Sequence, residues 1–382
     1  RVSAGELVLL NPNGGGIALF TTSRLVYSAP NFNLNMKFYQ NLFNEQLWGD
    51  PTMGDVIRMT KVAAGSVVNN RNFSLLGDPA QRLAYPEHRV STLTVNGLSV
   101  TTSIDTLSAL ELVSVSGKLV NSETGANMTD FNGVIYPTVF DKETTATTLG
   151  NDPSSYQAPF KVRKSLVFRG KASVTNGNFQ FQFVVPRDIT YNFDFGRFSY
   201  YAENETTNAN GFSHDFIIGG SSSDVVLDGE GPDVQLYMND EQFAYGGTTD
   251  ENPLLLAVVV DSNGINTVGN GIGHDLTAVL DENSGNTINL NDFYQSDMDS
   301  YQSGRISYPF SELSEGVHNL KVKVWDVHNN SSEAFTEFVV SASANLALNH
   351  VLNYPNPFTT RTSFYFEHNQ PCNDHAVEEA VE

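Results

Sequence analysis

The chain has 382 residues, with 21 Lys and Arg against 43 Asp and Glu, a formal net charge of −22. That length allows roughly two to four domains, and that charge excludes a counterion-release grip on nucleic acid and attraction to an anionic bilayer. Aromatic residues make up 11% and charged ones only 17%, so the polarity comes from Asn, Ser, Thr and Gly; this is a folded, β-rich extracytoplasmic composition rather than a disordered one.

Residues 1–88 read as α/β. The apolar run Gly16 to Thr22, entered through the turn Asn11-Pro12-Asn13-Gly14, has the length of a buried strand. Asn33 or Asn35 is placed to cap the helix that follows, whose face is Met36, Tyr39, Phe43 and Leu47 and which stops before Gly49-Asp50-Pro51. A second helix is predicted between Gly54 and Val68 through Val56, Met59, Val62 and Val67, and Phe73 to Pro79 ends an apolar stretch in a turn fixed by Asp78. Such a unit is expected to carry a parallel sheet whose missing neighbours leave an open apolar edge.

From residue 89 helical periodicity gives way to short alternating runs, the pattern of antiparallel sandwiches. Phe179, Phe181 and Phe183 alternate with Gln180 and Gln182 directly after the hairpin signal Thr175-Asn176-Gly177-Asn178. Leu254 to Val260 is apolar throughout and short enough for a central strand, whereas Val317 to Val327 sets Leu320, Val322 and Val324 against Lys321, Lys323 and Trp325, a half-exposed strand. Turn-rich clusters between Ser221 and Asp233 divide one β-sandwich module, 89–226, from an Ig-like one, 227–346. The remainder, 347–382, opens at Asn353-Tyr354-Pro355-Asn356-Pro357-Phe358 with an alternating strand Thr362 to Phe366 and is too short to fold alone. The expected fold class is therefore multi-domain and mainly β, with an α/β portion at the front.

Motifs that carry chemistry are sparse. Cys372 is the only cysteine, so neither a disulfide nor a thiolate metal site can form, and its Pro- and Asn-bearing tail offers no rigid, shielded seat for a nucleophile. Gly269-Asn270-Gly271-Ile272-Gly273 matches a phosphate loop only in part and reads as a turn. His274 and Asp275 are adjacent and so point to opposite faces of a strand. Two acidic groups, Asp292, Asp297 and Asp299, and Asp228, Glu230, Asp233 and Asp240, offer hard oxygens for a structural Ca²⁺ without EF-hand spacing. No His-Glu-x-x-His or Gly-x-Ser-x-Gly pattern occurs, no apolar run reaches the roughly 18 residues that span a bilayer, and Arg1 rather than Met opens the chain, as in a mature product or a fragment.

Three stretches carry a resemblance: Ser3-Ala4-Gly5-Glu6; Asn11 to Arg24, which contains Gly16-Ile17-Ala18-Leu19-Phe20-Thr21-Thr22-Ser23-Arg24; and Asn72 to Ala80, which contains Leu75-Leu76-Gly77-Asp78-Pro79. They look like the last part of a gingipain-type, caspase-like cysteine peptidase domain, and specifically that of the sortase of type IX secretion; Leu352 to Phe358 is similar to the opening of the C-terminal β-domain found across type IX cargo. The resemblance implies a cell-surface endopeptidase associated with the outer membrane. It would cleave C-terminal sorting domains from secreted cargo and transfer the new carboxyl end to anionic lipopolysaccharide, alongside other type IX components.

In this family the catalytic His and Cys precede the segment that begins here, so no catalytic residue is expected in this chain and the fragment alone is expected to be inactive. By correspondence with the pocket walls of the gingipains, Thr22, Ser23, Arg24 and Tyr27 are the candidates for substrate contact. The competing readings are a non-catalytic surface adhesion or structural β-sandwich protein, and a carbohydrate-binding module resting on Tyr200, Tyr201 and Trp325.

Overall fold

The computed structural model describes residues 3–11, 14–43, 51–152, 154–222, 228–267, 273–283, 285–341, 348–354 and 362–368. Contacts divide the chain into two units, Arg1–Glu87 and His88–Glu382.

In the first unit, the helix Ala4–Leu9 is closed by a capping box in which Glu6 N donates to Ser3 Oγ (3.2 Å) and Ser3 N to Glu6 Oε2 (2.6 Å). Helices Ser28–Leu42, Met53–Ala63 and Val68–Arg71 accompany two strands, Leu19–Thr22 and Phe73–Leu76. The unit is α/β, but its strand pair is antiparallel, Leu19 opposite Leu76 and Thr22 opposite Phe73, where a parallel sheet is expected from the sequence. Leu19–Thr22 is likewise half-buried to exposed rather than buried, in a sheet that has two strands among the described residues.

The helix after it starts earlier than its Asn residues suggest. Tyr27 is the N-cap and Pro30 sits in the first turn, where its missing N–H costs no helical bond; Asn33 and Asn35 therefore lie inside the helix. Leu34 is its buried residue and Phe38 stacks on Phe20 with centroids 5.8 Å apart, so Met36, Tyr39 and Phe43 face outward, Tyr39 and Phe43 stacked on each other at 6.1 Å. Leu47 lies outside the described residues. In Met53–Ala63 the buried face is Met53, Val56, Ile57 and Thr60; Val62 is exposed, and the helix ends before Gly65, with Val67 outside it.

In the second unit, seven strands pair in a ring: Gly133–Phe140, Ala172–Thr175, Asn178–Val184, Leu112–Val120, His88–Val95, Asn208–Ser213 and Arg197–Glu203, which returns to Gly133–Phe140. The expected sandwich in this stretch is thus a sheet closed on itself, a barrel-like solution that leaves no edge among these strands. Its interior includes Phe179, Phe181 and Phe183, the period-two set read from the sequence, together with Val113, Val115 and Ile135. The Asn176-Gly177 turn has φ of +50° and +71°, a two-residue hairpin turn matched to strand twist.

The following stretch is a two-sheet sandwich. One sheet orders Asp233–Met238, Leu254–Val260, Ser303–Pro309 and Tyr294–Ser296; the other Thr248–Thr249, Ser331–Val340, Gly316–Trp325, Thr277–Leu280 and Ile288–Asn289. Leu255, Ala257, Val259 and Ile306 meet Leu320, Val322, Val324 and Phe338 in one core between them. A last hairpin pairs Leu348–Tyr354 with Ser363–His368; Pro355 to Phe358 and Cys372 lie outside the described residues.

Barrel and sandwich meet along a polar seam. Asp299 accepts from Ser173 N (2.7 Å) and Ser173 Oγ (2.8 Å) and returns its own N–H to Lys171 O (2.8 Å). Arg187 N donates to Val327 O (2.9 Å), and the Asp188 carboxylate accepts from Asn329 Nδ2 (2.7 Å) and lies 2.5 Å from His274 Nδ1.

Candidate functional site

The four residues nominated from the sequence lie on one short segment at the end of the strand Leu19–Thr22, and all four are exposed. Thr22 Oγ1 donates to Arg24 O and accepts from Arg24 N, so this hydroxyl closes the turn at the strand end. Ser23 is held by Asn72: its N–H and its Oγ both donate to Asn72 O, at 2.9 and 3.1 Å. Tyr27 N donates to Asn69 Oδ1 at 2.6 Å, while its ring is 81% exposed and free of the core. Strand-end hydrogen bonding thus occupies Thr22 and Ser23, and Tyr27 presents an aromatic face to solvent.

Two residues that the sequence reading passed over organise this segment. Asn69 is 6% exposed and spends its carbonyl on Tyr27 N, leaving its buried Nδ2 without a hydrogen-bond partner, and Asn72 reaches Leu25 O through Nδ2 at 3.3 Å. The signal was present in Val67-Val68-Asn69-Asn70-Arg71-Asn72, three amides beside two valines, but nothing in spacing alone ties them to a strand more than forty residues earlier. Asp78 Oδ1 accepts from Ala80 N at 2.8 Å, and so fixes its turn as expected.

His274, Asp275 and the three aromatics each have structural partners. His274 and Asp275 do not pair: His274 takes Asp188, and Asp275 accepts from Asn291 Nδ2 at 3.0 Å. Residues 268–272 of the glycine-rich run lie outside the described residues. Of the aromatics, Tyr200 is 3% exposed and belongs to the barrel core, where burial raises its hydroxyl pKa; Tyr201 stacks on Tyr136, and Trp325 lies between Lys323 and His274.

Of the acidic residues that offer hard oxygens, three have partners elsewhere. Asp292 faces Arg169, Asp297 faces Arg305, and Asp299 is spent on Ser173. Asp228 instead joins Asp326 and His328, neither anticipated: among the described residues these three form the one group whose potential ligand atoms all lie within 4.8 Å of one another. Asp326 is completely buried and accepts from Asn330 N (2.7 Å), Asn330 Nδ2 (2.8 Å) and His328 N (3.0 Å); Asp261, 7% exposed, accepts from Asn263 N and Gly264 N. Burial raises the pKa of both Asp261 and Asp326, and the charges of Asp326 and Asp228 raise Asp261 further; Asp228, which accepts from Glu230 N, is held below its usual value.

Residues 1–84 match the profile of Peptidase family C25. The match covers the front of the chain alone, and comparison with curated proteins yields no match. Among solved structures, dimeric latent PorU from Porphyromonas gingivalis is 29% identical over 93% of this chain and 34% of its own length, with a TM-score of 0.43. The chain therefore spans about a third of that protein. Red sea bream transglutaminase (12% identity, 67% of this chain and 32% of that one, TM-score 0.20) and the fibronectin(III)-like modules of Clostridium thermocellum CbhA (11%, 66% and 95%, 0.19) are also similar. No helix among the described residues is long and apolar enough to cross a membrane.

Proposed function

We propose that this chain is the pocket-and-scaffold portion of a surface cysteine peptidase of the sortase kind. Such an enzyme cleaves the C-terminal sorting domain from type IX cargo and passes the new carboxyl end to an anionic lipopolysaccharide amine. The observation that carries the reading is the match of residues 1–84 to Peptidase family C25. In that chemistry a thiolate attacks the peptide carbonyl, a His serves as acid and base, and the acyl-enzyme is released to an amine or to water. This chain would supply neither group; it would supply a rim. The exposed ring of Tyr27 and the strand end at Thr22, Ser23 and Arg24, held by Asn69 and Asn72, support that part.

The test is cargo cleavage by the full gene product that carries these residues, compared with its Tyr27→Ala variant. Because Tyr27 uses its backbone N–H on Asn69 and its ring makes no core contact, the variant should keep its melting temperature and lose about tenfold in kcat/KM, the discrimination an apolar wall provides. Unchanged kcat/KM would remove Tyr27 from the rim, and a wild-type product unable to cleave cargo would leave a non-catalytic surface protein.

A further inference from the structure

Asp228, Asp261 and Asp326 gather negative charge with no compensating ion pair. Among the described residues no Lys or Arg forms a salt bridge to any of them, although Lys142, equally buried elsewhere in the barrel, has its Asp141 at 2.7 Å. Buried carboxylates require a partner of opposite charge or a proton. The amides of Asn330 and His328 satisfy the lone pairs of Asp326 but not its charge. The second observation is His328: its Nδ1 is buried and has no hydrogen-bond partner, yet the ring offers a nitrogen within 4.8 Å of both the Asp228 and the Asp326 oxygens. The ring is bonded to neither carboxylate, although Asp228 also accepts from Glu230 N and Asn263 Nδ2, and the three groups stand at the mutual separation that ligands of one cation have.

We propose that Asp228, Asp326 and His328 bind a divalent cation at the seam between barrel and sandwich. Two carboxylates and one imidazole form the donor set of a borderline ion such as Zn²⁺ or Mn²⁺, with water completing the shell. The consequence is mechanical as well as local. The segment Asp326 to Asn330 holds two of the three ligands and also makes the seam contacts, Val327 O to Arg187 N and Asn329 Nδ2 to Asp188 Oδ1. Asn330 Nδ2 additionally donates to Asp228 O (3.2 Å), so the third ligand is tied to the same loop. A cation there would hold the loop in the conformation that joins the two β-modules. The inference does not depend on the peptidase reading.

The experiment uses the whole chain after chelation, titrated with Zn²⁺, Mn²⁺, Ca²⁺ and Mg²⁺ by calorimetry, with the melting temperature followed in parallel. At least one ion should bind at one equivalent and raise the melting temperature. His328→Gln and Asp228→Asn should each weaken that binding at least tenfold, and His328→Gln should leave the metal-free melting temperature in place, since His328 N rather than its ring bonds Asp326. Asp240→Asn, a control outside the cluster, should change nothing. Absence of stoichiometric binding by any of the four ions would overturn the proposal, and so would binding that survives either ligand substitution, which would mark diffuse attraction to a chain of charge −22. Should His328→Gln fail to fold, the half-exposed Asp228 still decides it.

Discussion

Lys142 is 3% exposed, and its ammonium reaches Asp141 Oδ1 and Thr190 O at 2.7 Å and Ile218 O at 3.3 Å. A buried pair of this kind need not stabilise relative to an apolar pair, but removing one partner strands the other. Lys142→Met should therefore cost about 3–5 kcal/mol, measured by urea unfolding, and Asp141→Asn placed beside it should recover part of that loss; a single variant within 1 kcal/mol of wild type, taking ~1 kcal/mol as the mean effect of a point mutation, would show the charge to be solvated. His318 carries a pH dependence of the opposite origin. Burial, the strongest influence on it, lowers its pKa, but the hydrogen bonds to Ser314 O (2.7 Å) and to the Asp281 carboxylate (2.8 Å) outweigh burial and leave the imidazole above its ordinary value. The charged pair thus contributes in full below the unfolded-state pKa of about 6.5 and its contribution is lost as pH rises through the higher folded-state value. The melting temperature should fall from about pH 6 to pH 8 by more in wild type than in His318→Gln; parallel pH profiles would count against the pair.

At the level of elements, what can be read in the sequence depends on which face has to be buried. Phe179 to Phe183 is legible because a period of two leaves one assignment of faces, and the structure buries all three rings at the closed sheet's centre. Phe181→Ala should cost about 3–5 kcal/mol and Gln182→Ala less than about 0.5, compared by chemical denaturation; equal costs would mean that the alternation does not set the register. The helix Ser28–Leu42 shows the opposite case. Its aromatic spacing reads as a buried stripe, yet Leu34 and Phe38 take the inner face and Tyr39 and Phe43 stack on each other outside, because neither propensity nor spacing says which side meets a neighbour. Ring closure is illegible for a related reason: the pairing of Gly133–Phe140 with Arg197–Glu203 joins strands some sixty residues apart, and local pattern holds no record of it. The rim Thr22 to Tyr27 was reachable from the motif, whereas its supports Asn69 and Asn72 and the cluster of Asp228, Asp326 and His328 arise from tertiary approach alone. Gly211 belongs with these: a Cβ there would stand 2.2 Å from Val90 O, so its place in a strand interior reflects a backbone passing close by.

For the whole molecule the distribution of buried apolar surface predicts unequal stability. Among the described residues of the unit Arg1–Glu87 the buried hydrophobic side chains are Leu34, Met53, Val56, Ile57 and Phe73, while Leu7, Ile17, Leu25, Tyr39, Phe43 and Val62 are among those left exposed. The unit His88–Glu382 holds two packed cores that run from Val90 to Ile218 and from Met238 to Val340. Burial per residue sets how far hydrophobic gain exceeds chain entropy, so the first unit has the smaller surplus and should open at lower temperature. Calorimetry of the intact chain should then show two transitions, and limited trypsin digestion should cut at Arg58, Lys61, Arg71 or Arg82 before Lys118, Lys171, Lys321 or Lys323. The seam should keep barrel and sandwich together in the upper transition, since Asp188 and Asp299 bond across it. Asp299→Ala leaves the Ser173 hydroxyl and amide without their acceptor and should split that upper transition into two. A single transition in the intact chain, with both sets of sites cut at the same rate, would mean that the first unit draws its stability from the second.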